Sequence, residues 1–72
     1  MKNKTIENME AKLSKICGFP VELTIRGDKQ ITLSADGKRT FAKAVLFFGE
    51  VANLETIYDE ECDMSCLYLE VA

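Results

Sequence analysis

The chain has 72 residues, of which 47% are hydrophobic, and it carries a formal net charge of −3. This length allows one domain with a thin core, since folding a chain so short buries only about 60% of its surface. The sequence has no His, which excludes the usual general base and the commonest zinc ligand. It also lacks an apolar run near the ~18 residues of a membrane span and the apolar core of a signal peptide, so we expect a cytoplasmic protein.

The first predicted element is an amphipathic helix from Asn3 to Cys17. Its apolar residues recur at steps of three and four, while Lys and Glu fill the other face. Asn3 or Thr5 can cap its start. Gly18 and Pro20 end it, because glycine favours the left-handed conformation after a helix and proline blocks continuation.

Two strands follow, at residues 21–26 and 31–35. Apolar and polar residues alternate in each, which indicates half-buried strands. The segment from Gly27 to Gln30 forms the turn between them.

A second helix is predicted over Lys38–Phe48, with Asp36-Gly37 capping its start and Gly49 ending it. Its apolar stripe is formed by Phe41, Ala44, Val45 and Phe48, and Leu46 and Phe47 widen it. Lys43 is the only charge between Phe41 and Phe48, so we expect this helix to be the more buried of the two. Because Asp-Gly is also a hairpin signal, a strand through residues 40–48 is the alternative.

The last two predicted strands are Leu54–Tyr58 and Cys66–Val71, joined by an acidic turn. Leu67, Leu69 and Val71 alternate with polar residues, but Leu54 and Ile57 cannot share one face of a regular strand. A bulge or a later strand start would resolve this conflict.

The element order αββαββ predicts an α+β fold in two layers. We expect a four-stranded antiparallel sheet, with the strands in the spatial order first, second, fourth, third and both helices on one face. Moving the last strand to the front gives the split βαβ order of ferredoxin-like folds, so the chain could be a circular permutant. The opposite sheet face would be open and would show Glu22, Thr24, Arg26, Thr32, Ser34, Cys66, Tyr68 and Glu70.

Three cysteines are an odd number, which favours reduced thiols over a disulfide framework. Cys62 and Cys66 flank the acidic turn, so a reversible disulfide across the hairpin is one alternative and a metal site with Cys17 is another. The spacing of the acids from Asp59 to Glu70 partly matches a calcium loop. Met64, however, occupies the position that needs glycine, and a strand replaces the exiting helix. We expect no metal or other cofactor and no catalytic residue, hence no enzyme.

Charge is distributed unequally along the chain. Residues 1–40 hold eight Lys/Arg and five Asp/Glu, whereas residues 41–72 hold one and seven, which predicts an acidic end that attracts a basic partner and repels nucleic acid. Aromatic and Met residues beside the acids are typical of an interface core. The predicted partner-binding residues are Tyr58, Asp59, Glu60, Glu61, Asp63, Met64, Tyr68 and Glu70.

In its general profile, which is short, acidic and without His or a catalytic motif, the chain resembles small phage-encoded inhibitors such as anti-CRISPR proteins. The resemblance is one of type and involves no motif. It implies a binding protein that inhibits or modulates a larger nucleic-acid-handling protein. The alternatives are a small structural or regulatory domain, which could be a homodimer, and a sheet that binds single-stranded RNA.

Overall fold

A computed structural model describes residues 4–72 of the chain, so the predicted helix start at Asn3 lies outside the described residues. The elements are α1 (Lys4–Cys17), β1 (Glu22–Arg26), β2 (Gln30–Asp36), α2 (Ala42–Phe48), β3 (Val51–Asp59) and β4 (Met64–Val71). The predicted element order is confirmed, and the alternative of a strand at residues 40–48 is excluded. Neither helix has the length and apolarity that a membrane crossing requires.

The four strands form one sheet in the order β1-β2-β4-β3, and every neighbouring pair is antiparallel. This confirms the predicted α+β fold and strand order. β2 and β3 run parallel on either side of β4, and α2 connects them as a crossover. Read from β4 onward, the order matches that expected of a circularly permuted ferredoxin-like sheet.

The core lies between the helices and one face of the sheet. Alternating residues of the three strands β1, β2 and β4 are buried there, and Leu23, Leu33 and Leu67 are fully enclosed together with Leu13 of α1. Each such leucine contributes about 1.5–3 kcal/mol to folding through removal of its surface from water. Burial on this single face is what period-two patterning predicts for a two-layer fold.

α1 ends where the sequence predicts. Gly18 has a φ of 85°, and its amide donates to the carbonyl of Ser14 at 2.9 Å, which closes the last turn. Thr5 already lies inside the helix, so the prediction that it could cap the start is wrong.

α2 begins four residues later than predicted, because residues 37–39 are held by the sheet. The Gly37 amide extends the ladder by donating to the Asp63 carbonyl at 2.7 Å. The buried Ser65 hydroxyl accepts from the Arg39 amide at 2.8 Å and donates to the Gly37 carbonyl at 2.7 Å. Of these groups, the Gly37 carbonyl is the one that would accept a hydrogen bond in the first turn of a longer helix, and here it accepts from Ser65 instead. Asp36 is the last residue of β2 and caps no helix.

The expectation that α2 is the more buried helix is also wrong. Ala44 is buried, but Leu46 is 79% exposed and Phe47 is 39% exposed. Ala44, Val45 and Phe48 are the residues of α2 that pack in the core, so only one side of the helix faces it.

The β3–β4 hairpin is longer than predicted. It contains a bulge, one of the two predicted resolutions, but the bulge lies before Leu54 and leaves Leu54 and Ile57 on opposite faces. The register shifts between Val51 and Asn53, which is a β-bulge. Beyond the bulge the pairing is regular. Leu54 pairs with Leu69 and therefore lies on the helix side, whereas Ile57 pairs with Cys66 on the open side.

Candidate functional site

The sheet face opposite the helices is open, as predicted. Residues that pair directly across antiparallel strands share a face, and this side includes Thr32 paired with Tyr68 and Ser34 paired with Cys66. We call this surface the open face. Its strand residues are Glu22, Thr24, Arg26, Gln30, Thr32, Ser34, Asp36, Asn53, Glu55, Ile57, Asp59, Met64, Cys66, Tyr68 and Glu70.

The open face is acidic. Within the described strands it has a single cation, Arg26, and its carboxylates are Glu22, Asp36, Glu55, Asp59 and Glu70. The sequence predicted one acidic end of the molecule, but the pairing spreads these acids over a whole face.

An apolar centre lies among these acids. Ile57 is 46% exposed and Tyr68 is 41% exposed, on neighbouring strands of the open face. Beside Tyr68 there is a shallow groove of about 580 Å³, to which Thr32, Glu55 and Glu70 contribute. Arg26 also lines the groove, and Glu70 Oε1 accepts a hydrogen bond from Asn53 Nδ2 at 3.0 Å. The groove therefore offers a ring surface and two carboxylates beside one cation.

The hairpin tip continues the open face at one end. Asp59 stabilises the turn itself, since its Oδ1 accepts from the Glu61 amide at 3.0 Å and the Cys62 amide at 3.4 Å. Asp63 adopts the left-handed φ of 51° that Asp tolerates better than most residues. Two of the four predicted tip acids thus have structural roles, and Glu60 and Glu61 are exposed on the turn.

Tyr58 lies on the other side of the sheet from Tyr68. It pairs with the buried Ser65 and so faces the helix side, where its hydroxyl donates to Asp63 Oδ1 at 2.6 Å. That hydrogen bond is the main reason why the pKa of Tyr58 is raised, because ionisation would place a phenolate beside a carboxylate. The predicted binding residues are therefore not one cluster. Asp59, Met64, Tyr68 and Glu70 share the open face, and Tyr58 is separated from them.

No family model, curated protein or solved structure matches the chain. Its function is therefore inferred from the surface that its own residues build.

The cysteines are not positioned for a bond across the hairpin. Cys66 pairs with Ile57, and Cys62 lies in the turn, so the expectation that they face each other is wrong. Burial is the largest cause that raises the pKa of the Cys17 thiol, which makes it a poor nucleophile. Among residues 4–72 no group of three or more metal-ligating side chains could hold an ion.

Basic side chains concentrate on the helix side. Lys12, Lys38 and Arg39 each lie over an aromatic ring there, at 5.6, 5.7 and 4.8 Å from the ring centres. The helix side therefore carries these positive charges, whereas the open face is mainly negative.

The sequence patterns do not identify Ile57, Glu55 and Asp36 as members of the open face. Strand alternation would have placed Glu55 and Ile57 there if the bulge had been located before Asn53. Asp36 was missed because the Asp-Gly pair was interpreted as a helix start.

Proposed function

We propose that this protein is a non-enzymatic binding domain that docks its acidic open face against a basic surface of a larger protein. The observation that carries the proposal is the position of Tyr68, which is 41% exposed in a groove lined by Glu55 and Glu70. An aromatic ring beside carboxylates suits an Arg or Lys side chain, which can stack on the ring and form ion pairs with the acids.

The charged and the apolar residues of the open face would have different roles in binding. Carboxylates at its rim would speed the encounter with a basic partner, and Tyr68 with Ile57 would supply the desolvated centre that slows dissociation. Truncation of Tyr68 is expected to weaken binding by about 2 kcal/mol, roughly 30-fold, if the ring is a hot spot.

A surface rich in Arg and Lys is typical of proteins that bind nucleic acids, where it contacts the phosphates. We therefore propose that occupation by this chain inhibits or modulates such a partner by competing with the nucleic acid, in a cytoplasmic setting that suits the free thiols. Direct binding of nucleic acid is not proposed, because phosphates and the open face carry the same sign of charge.

The test is affinity capture from the native host with matched charge variants. Glu70→Lys changes the open face, and Glu7→Lys makes the same change of charge on the exposed side of α1. The proposal predicts a captured protein that is lost with Glu70→Lys and with Tyr68→Ala, but kept with Glu7→Lys.

The captured protein should also lose affinity for its nucleic acid when this chain is added. If Glu70→Lys and Glu7→Lys reduce capture equally, the open face has no special role. If capture depends on Tyr68 while nucleic-acid binding of the partner is unchanged, the inhibitory part of the proposal is wrong.

A further inference from the structure

The two edge strands of the sheet, β1 and β3, differ in whether side chains bond to their outward backbone groups. The edge of β1 lies beside α1. Its Leu23 amide donates to Glu10 Oε2 at 2.7 Å, and the amide of Val21, just before the strand, donates to Ser14 Oγ at 2.9 Å. Side chains of α1 therefore occupy the donors with which another strand would pair. This is one of the ways in which proteins protect an edge strand.

The opposite edge, β3, is longer and has no comparable cover among the described residues. The strand has nine residues, Val51–Asp59, and all but the first are exposed. Leu54 remains 48% exposed and Tyr58 36% exposed, although both lie on the helix side. An exposed edge of this length with apolar side chains is a surface for pairing with another strand.

Hydrogen bonds at both ends of β4 show which backbone groups of β3 point outward. The Val71 amide donates to the Lys29 carbonyl, and the Asp63 carbonyl accepts from Gly37, so odd-numbered residues of β4 pair toward β2. Even-numbered residues of β4 then pair toward β3, and their partners include Glu55 and Ile57. The intervening residues of β3, among them Thr56, direct their amides and carbonyls away from the sheet.

We propose that the β3 edge pairs antiparallel with β3 of a second copy, across a two-fold axis at Thr56. The outward backbone groups then meet each other. The facing pairs between the copies are Thr56 with Thr56, Leu54 with Tyr58, Glu55 with Ile57, and Asn53 with Asp59.

Charge favours this register over its neighbours. With the axis at Thr56, each acid of the strand faces a neutral residue, and threonine pairs and aromatic–aliphatic pairs stabilise antiparallel sheets. An axis at Glu55 would oppose Glu55 to itself, and an axis at Ile57 would oppose Glu55 to Asp59. Of the three registers centred on Glu55, Thr56 and Ile57, only the one at Thr56 keeps the acids of β3 apart. This self-complementarity is why a second copy is the occupant proposed here. The paired segment from Asn53 to Asp59 would span about 20 Å and create one eight-stranded sheet.

The test is the oligomeric state of the purified chain in analytical ultracentrifugation, with charge variants at Thr56. The wild type should pass from monomer to dimer between ~10 µM and ~1 mM, as expected for a small interface. Thr56→Lys and Thr56→Glu should each weaken dimerisation tenfold or more, about what opposed like charges at an interface cost. An equal mixture of the two variants should restore the dimer, because only this register opposes position 56 to itself.

Thr24→Lys is the matched control, since it adds the same charge to the open face of β1, away from the β3 edge. Circular dichroism establishes that each variant is folded, and rescue in the mixture excludes a folding defect.

Because each copy has a net charge of −3, added salt should not weaken the dimer, whereas it should weaken docking of a basic protein on the open face. A wild type that stays monomeric throughout this range, including one whose edge binds only another protein, overturns the proposal. The proposal is also overturned if the charge variants at Thr56 dimerise as tightly as the wild type. The same holds if Thr56→Lys and Thr56→Glu do not form a dimer when mixed.

Discussion

Replacing Ser65 with Ala tests the contact that sets where α2 begins. The Ser65 side chain is only 3% exposed, and its hydroxyl bonds to both the Arg39 amide and the Gly37 carbonyl. Alanine removes both hydrogen bonds and leaves those two backbone groups without their partner. At about 1 kcal/mol for each net bond, plus the cost of leaving partly buried groups unpaired, we expect a loss of about 2–3 kcal/mol.

Urea unfolding followed by circular dichroism measures this loss. For a domain of this size the slope is about 1 kcal/mol per M, so the midpoint should fall by about 2–3 M. Ser34→Ala is the matched control, because Ser34 lies on the open face of β2 and should change stability by less than about 0.5 kcal/mol. Equal midpoints for the two variants would refute the role of the Ser65 hydroxyl.

Two further predictions concern titratable groups. Tyr58 has a pKa raised above its ordinary value of 10.0 by its bond to Asp63, so its contribution to stability is complete below that pH and is lost as the pH rises through the raised value. The phenolate absorbance of wild type minus that of Tyr58→Phe should show this titration, and Asp63→Asn should return the pKa toward 10.0; an unchanged pKa in that variant would contradict the cause. The exposed Cys62 should be alkylated before Cys17, whose thiol has a pKa raised by burial, and mass spectrometry that finds the reverse order would contradict the described burial.

The sheet and its strand order could be predicted from the sequence because local patterns and connection rules agree. Alternation in β1 and β2 shows which face is buried, and the helical segment between β2 and β3 requires a crossover. The start of α2 could not be predicted, because it depends on Ser65, which is 26 residues distant from Arg39 along the chain.

The candidate site could be predicted only in part. Tyr68 and Glu70 were assigned to the open face because β4 alternates regularly. Tyr58 is close in sequence to the acidic turn, which is why the sequence groups it with them. Adjacent residues of a strand point to opposite faces, however, so Tyr58 and Asp59 lie on different sides of the sheet. The contrast between the two sheet edges also lay beyond the sequence, since it depends on Glu10 and Ser14 reaching the backbone of β1.

NMR titration of the isotope-labelled chain with a short Lys- and Arg-rich peptide shows whether the open face receives a basic surface. We expect the largest chemical-shift changes at the amides around Glu55, Tyr68 and Glu70, and we expect them to fade as salt is raised. Glu70→Lys should abolish them, while Glu7→Lys should leave them unchanged. Shifts of equal size along α1, or shifts at the open face that survive in Glu70→Lys, would show that the open face is not the docking surface.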